Sequence, residues 1–130
     1  MRALIVDDQA PDRQWARSVI GKMGFDQIDA VSRVDTALLR LEEALEGKTP
    51  IPELILLDLG FTDESGFEVL RFWKSNPVLR SRTRVVVWTL ATNPPEAELA
   101  SYFGVEVVPK WTGPAELEMA VKRSSATAQT

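Results

Sequence analysis

Four short apolar runs, each cut off by a polar residue, constrain this chain more than any other feature. Residues 3–6 stop at Asp7-Asp8, residues 54–57 at Asp58, residues 85–88 at Thr89, and residues 105–108, interrupted by Glu106, at Pro109-Lys110. Runs this short and rich in Val, Ile and Leu read as strands, and apolarity on both faces marks a sheet covered on both sides. Residues 27–31 form a weaker fifth candidate.

The intervening segments carry helical spacing. Pro11 suits a first helical position, and Trp15, Val19, Ile20 and Met23 follow at helical intervals. Asp35 is placed to cap a second helix, whose Leu38, Leu41 and Leu45 share a face and whose end lies near Gly47. Ser65 with Glu68 three residues on reads as a capping box for a third helix bearing Phe67, Leu70 and Trp73. Asn93 before Pro94-Pro95 opens a fourth, with Leu99 and Phe103, and Gly113-Pro114 opens a fifth, with Leu117 and Val121. Five strands alternating with five helices predict a (βα)5 domain, an α/β fold with a doubly wound five-stranded parallel sheet. Residues 1–123 form that domain, and residues 124–130, small and polar, are expected as a C-terminal tail.

In such a sheet ligands sit beyond the carboxyl ends of the strands. Those ends are Asp7-Asp8, Asp58, Thr89 and Lys110, so one edge is expected to gather three carboxylates, a hydroxyl and an ammonium. Carboxylates at close range repel, and a hard divalent cation relieves the repulsion; oxygen ligands in a hydrated site favour Mg²⁺, with Mn²⁺ as the alternative. A carboxylate beside a metal can act as a nucleophile toward phosphorus, and the metal, Lys110 and Thr89 can neutralise the transferred oxygens. The parts match phosphoryl capture on Asp58. The competing explanation is that the three Asp residues only cap the helices that follow them.

Composition narrows the chemistry further. The chain has no Cys and no His, which excludes disulfides, thiol nucleophiles, Cys-based zinc sites, an imidazole base and a phosphohistidine of its own. Fifteen basic against 19 acidic residues give a net charge of -4 at pH 7, a poor balance for direct nucleic-acid binding. Arg80, Arg82 and Arg84 read as the solvated flank of a loop. No apolar run approaches the roughly 18–20 residues of a membrane span, and the first run is too short for a signal-peptide core; a cytoplasmic location is expected, with no membrane partner.

With these residues in order, the chain resembles the receiver domains of two-component response regulators, the CheY-like superfamily. The resemblance covers about residues 1–123 and rests on Leu4-Ile5-Val6-Asp7-Asp8, Leu54-Ile55-Leu56-Leu57-Asp58, Gly66 eight positions after Asp58, Thr89 and Lys110. It implies a flavodoxin-like three-layer sandwich. It also implies Asp58 as phosphoacceptor, with Asp7, Asp8, Asp58 and the Gly60 carbonyl around Mg²⁺. Thr89 would turn toward the phosphoryl group and Lys110 would pair with it. The donor would be a His on a sensor histidine kinase or phosphotransfer protein, which suits a chain without His. The output would be a changed surface on the fourth helix, fifth strand and fifth helix, for a downstream protein or a homodimer. The chain is expected to be a single-domain regulator, a phosphoacceptor rather than an enzyme, with at most autocatalytic phosphoryl transfer and autodephosphorylation.

Several positions depart from the family pattern. Pro109 precedes Lys110 and Trp111 follows it, where the family places Pro after the Lys, so the loop must position Lys110 by another route. Val107 stands where a switch aromatic is usual, and Leu90 replaces a small residue, its bulk expected to restrict access to Asp58. Gly60-Phe61-Thr62-Asp63-Glu64 replaces a Met-Pro turn, with Asp63 or Glu64 adding negative field near the metal. Trp15 and Trp73 are expected in the core. Trp111, with Tyr102 and Val107, is the candidate interaction surface. The departures favour a second reading, a pseudo-receiver used as a constitutive interaction module. A third, a haloacid-dehalogenase-like phosphatase, is opposed by Gly60, where that family places a second Asp. A dinucleotide site is excluded because Asp7-Asp8-Gln9-Ala10 is not a glycine-rich turn.

Overall fold

The computed structural model describes residues 1–61, 65–90 and 96–128; Asn93, Asp63 and Glu64, and the roles expected of them, lie outside these, as does the Leu99 side chain. The strands are β1 (Arg2–Val6), β2 (Gln27–Val31), β3 (Leu54–Leu57), β4 (Arg84–Thr89) and β5 (Glu106–Pro109). All pair in parallel in the order β2-β1-β3-β4-β5. The helices are α1 (Ala10–Gly21), α2 (Val34–Leu45), α3 (Phe67–Ser75), α4 (Pro77–Arg82), α5 (Glu96–Phe103) and α6 (Pro114–Ala128).

Position in the sheet explains how clearly each strand reads. Central β3 is buried at every residue, whereas β2 and β5 are edges with mixed, half-buried residues. Side chains alternate between two cores, as strand geometry requires. Leu4, Val6, Ile55, Leu57, Val85 and Val87 pack with α2, α3 and Phe103. Ala3, Ile5, Leu54, Leu56, Val86, Trp88 and Val108 pack with α1 and α6. The result is the expected three-layer sandwich.

Five local details differ from the sequence reading. Six helices are described instead of five, because Asn76-Pro77 starts the short α4: the Asn76 side chain accepts from the Val78 and Leu79 N–H groups. Arg80 and Arg82 therefore lie on a helix, and Arg84 opens β4 with its guanidinium over the Phe25 ring. The capping box at Ser65 does not form, since α3 starts at Phe67 and Glu68 pairs with Arg71 instead. Asp35 sits inside the first turn of α2, whose N-cap is Arg33. At the C-terminus α6 continues to Ala128, past the start of the expected tail. Ser124 falls on the stripe of Leu117, Ala120 and Val121, is 4% exposed, and donates to the Val121 carbonyl. A small hydroxyl that satisfies itself on its own helix can sit on a buried face.

Gly66 has a steric reason to be glycine. A Cβ there would lie 2.7 Å from the Asp58 carbonyl oxygen and 2.9 Å from Leu59 Cα, both backbone atoms. Gly66→Ala is expected to cost about 1–3 kcal/mol through forced displacement of the chain around Asp58, measured by urea unfolding. A cost near zero would mean that this turn yields freely.

Candidate functional site

Register brings the acidic residues together. Val6 is level with Leu57 across β1 and β3, so Asp7 and Asp58 leave the sheet side by side. Asp7, Asp8 and Asp58 each offer a carboxylate oxygen within 4.8 Å of the others. Asp7 and Asp58 are 1% and 5% exposed, which is rare for ionisable groups unless they are paired or coordinated.

These carboxylates do not cap the following helices. The N-cap of α1 is Gln9, that of α3 is Gly66, and neither uses a side-chain cap. Asp7 Oδ1 accepts from the Gln9 N–H at 2.9 Å, and Asp58 Oδ1 accepts from the Gly60 N–H at 2.9 Å. Asp58 Oδ1 also accepts from the Thr89 hydroxyl at 2.7 Å. Thr89 is fully buried at the end of β4.

Lys110 reaches the site although Trp111 follows it. Its N–H donates to the Thr89 carbonyl at 3.0 Å, and the next residues turn, the Thr112 N–H and hydroxyl both donating to the Pro109 carbonyl. The ammonium lies 2.6 Å from Asp12 Oδ2, 2.7 Å from Asp7 Oδ2 and 3.1 Å from Asp58 Oδ2. It also sits 4.9 Å from the centre of the Trp88 ring, which stacks on Trp15 at 5.2 Å. Neither Asp12 nor the Trp15–Trp88 stack was picked out as part of the site from the sequence. The available signal was position: Asp12 is in the first turn of α1, four residues past Asp8.

Burial shifts the charges unevenly. It pushes the Asp7 carboxyl above the usual carboxylate range, and the Lys110 ammonium and Gln9 N–H only partly oppose this. Burial also pulls on Lys110 in the opposite sense, but the carboxylates of Asp12, Asp7 and Asp58 around the ammonium overcome it, and its pKa rises. Asp7 Oδ2 is buried and in ion contact with Lys110, yet receives no aligned hydrogen bond. An under-satisfied buried carboxylate oxygen in a three-carboxylate cluster fits a hard divalent cation of the Mg²⁺ type.

Of the other residues singled out from the sequence, Leu90 is 62% exposed, Tyr102 69% and Trp111 65%, while Val107 is half-buried against the α2–α3 core. Of the expected surface residues, then, Tyr102 and Trp111 project and Val107 packs. Trp73 is buried, donating its indole N–H to the Thr83 carbonyl at 2.8 Å; Trp15 is half-buried.

The architecture matches solved receiver structures along nearly its whole length. The signal receiver domain of a putative Luxo repressor protein from Vibrio parahaemolyticus superposes with a TM-score of 0.77 at 22% identity, covering 98% of this chain and 92% of that one. This chain has the CheY-like receiver fold. The response regulator TrrA from Thermotoga maritima, solved in complex with Mg(2+)-BeF, gives a TM-score of 0.74 at 24% identity, with 95% and 97% covered. In sequence, the transcriptional regulatory protein PhoP of Escherichia coli K12 is 35% identical over 78 residues, 60% of this chain and 32% of PhoP. The sensory transduction protein LytT of Enterococcus faecalis is 33% identical over 69 residues, 53% of this chain and 26% of LytT. The matched stretches thus span about a third or less of those relatives. No protein-family model matches the chain. Fold and partial sequence identity liken this chain to solved receiver domains and to a part of those two regulatory proteins. Among the described residues, no helix is long and apolar enough to cross a membrane.

Proposed function

We propose that this receiver domain accepts a phosphoryl group on Asp58 in a Mg²⁺-dependent reaction and signals through a changed protein-interaction surface. The observation that carries the reading is the setting of Asp58. It is 5% exposed, held by Thr89 and the Gly60 N–H, faces Lys110, and lies in a cluster with Asp7 and Asp8. Asp7, Asp8, Asp58 and the Gly60 carbonyl would hold the cation, which supplies charge neutralisation for the arriving phosphoryl oxygens. Thr89 and Lys110 would take oxygens that the metal leaves. Because the chain has no His, the group comes from a sensor histidine kinase or a phosphotransfer protein, or from a small acyl phosphate.

Output would proceed by population shift rather than turnover. The face of α5, β5 and α6, with exposed Tyr102 and Trp111 beside it, would meet a downstream protein or a second copy of the chain. Any activity of its own would be limited to taking up and losing the phosphoryl group, in a cytoplasmic regulator.

Intact-mass measurement after addition of Mg²⁺ and acetyl phosphate tests the reading. One phosphoryl adduct is expected, absent in Asp58→Asn and absent when a chelator replaces Mg²⁺. If the unsubstituted chain gains no adduct, phosphoryl capture fails and a constitutive interaction module remains.

A further inference from the structure

We infer that Asp12 is a positioning residue: it places the Lys110 ammonium at the acceptor site, a role that rests on phosphoryl capture by Asp58. Lys110 is a flexible side chain on a loop that lacks a proline after the lysine, and such a chain needs an anchor at its charged end. Of the three carboxylate contacts to the ammonium, that with Asp12 is the shortest, at 2.6 Å. The other two partners are Asp7 and Asp58, both members of the acidic cluster suited to a divalent cation. Once a cation occupies those oxygens, they can no longer satisfy the ammonium fully. Asp12 does not belong to that cluster and keeps its hold.

The placement of Asp12 suits the task. Its side chain is 35% exposed, against 2% for Asp7 and 6% for Asp58, so it stands at the mouth of the site, outside the buried acidic pair. It lies in the first turn of α1, where the helix dipole favours an anion, and Pro11 beside it fixes the start of the helix. Three residues on, the same helix carries Trp15, which stacks on Trp88, whose ring lies 4.9 Å from the Lys110 ammonium. One helix therefore contributes a carboxylate to the ammonium and backs the aromatic ring beneath it. The contact joins residues 98 positions apart, so it exists only in the folded chain.

Lysine-selective ¹H–¹⁵N spectra of the full chain, recorded in saturating Mg²⁺ without phosphodonor, test the anchor directly. An ammonium held among carboxylates is protected from solvent exchange and is expected to give a signal, assigned by its loss in Lys110→Met. Asp12→Asn, nearly isosteric, is expected to lose that signal, and Asp12→Glu to restore it. In saturating Mg²⁺, Asp12→Asn should also slow acetyl phosphate uptake about tenfold, the scale of one lost charged hydrogen bond. In the Lys110→Met background the same substitution should have no further effect.

The inference is overturned if the unsubstituted chain shows no protected Lys110 signal, or if Asp12→Asn retains it. It is equally overturned if the substitution slows uptake to the same degree with and without Lys110, since Asp12 would then act as a charge on its own. A chain that forms no adduct yet shows an Asp12-dependent signal would sink phosphoryl capture while leaving the anchor in place.

Discussion

In metal-free buffer at pH 7, Lys110→Met is expected to lose about 3–5 kcal/mol of folding stability, the usual result of removing one partner from a buried charge group. The lysine side chain is 7% exposed and contacts three carboxylates within 3.1 Å. Methionine preserves much of the apolar stem beside Trp88, so the loss is chiefly electrostatic. The pH dependence has a definite sign. The folded-state pKa of Lys110 is raised, so its contribution is complete below the ordinary lysine value and disappears only as pH climbs above it. On the acid side, Asp7 gains a proton more readily in the folded state, so the deficit of the variant should narrow as pH falls. Saturating Mg²⁺ should narrow it too, by placing positive charge among the same oxygens. Urea unfolding with and without Mg²⁺ reads both effects. No deficit in chelator, or an undiminished one in Mg²⁺, would contradict this account of the site.

Asp7→Asn should have the opposite effect on the metal-free protein. Because burial holds the Asp7 carboxyl above its ordinary range, the folded state binds a proton there more tightly than the unfolded chain. Stability therefore falls as pH rises through that range, because ionising the buried carboxylate carries a penalty in the folded state. Asparagine removes the charge while its amide oxygen can still accept from the Gln9 N–H. We expect a gain of roughly 0.5–2 kcal/mol in chelator, fading on acidification as the native Asp7 becomes neutral. The gain reverses in Mg²⁺. A cation at a hundred times its dissociation constant stabilises the unsubstituted chain by about 2.7 kcal/mol, and the variant should lose most of this. Thermal unfolding in the two buffers checks the crossing. A variant less stable than the parent even in chelator would show that Asp7 is a structural carboxylate and not one strained for function.

Together the two substitutions describe a site whose charges are balanced for a visitor. Three carboxylates, Asp7, Asp12 and Asp58, contact one ammonium, and Asp8 lies in the same acidic cluster, an excess of negative charge that favours binding a cation. Gly66 completes this arrangement from the backbone side by admitting the start of α3 against the Asp58 carbonyl.

Much of this was legible in the residues. Strands β1, β3 and β4 read clearly because each is apolar on both faces, and β2 read weakly because it is an edge with polar positions. Asp7, Asp8, Asp58, Thr89 and Lys110 could be gathered in advance because parallel strands with helical crossovers bring their carboxyl ends to one side. Helix starts were less legible. Ser65 and Asp35 both resemble caps, but packing of Leu70 and Trp73, or of Ala37 and Leu41, sets where a helix begins, and caps follow where they can. Asn76-Pro77 carried a true start signal that competed with the simpler expectation of one helix per crossover.

What the sequence alone determined was therefore the kind of each main element, their order, and the chemical groups at the strand ends. Periodicity, apolarity and the identity of a residue after a strand are local properties, written within a few positions of one another. Only the tertiary structure decided that Lys110 would reach the site without a following proline, that Asp12 would meet its ammonium, and that Trp88 would lie beneath it on Trp15. Those contacts depend on strand register and on how α1 lies across the sheet, which are set by packing the whole core at once.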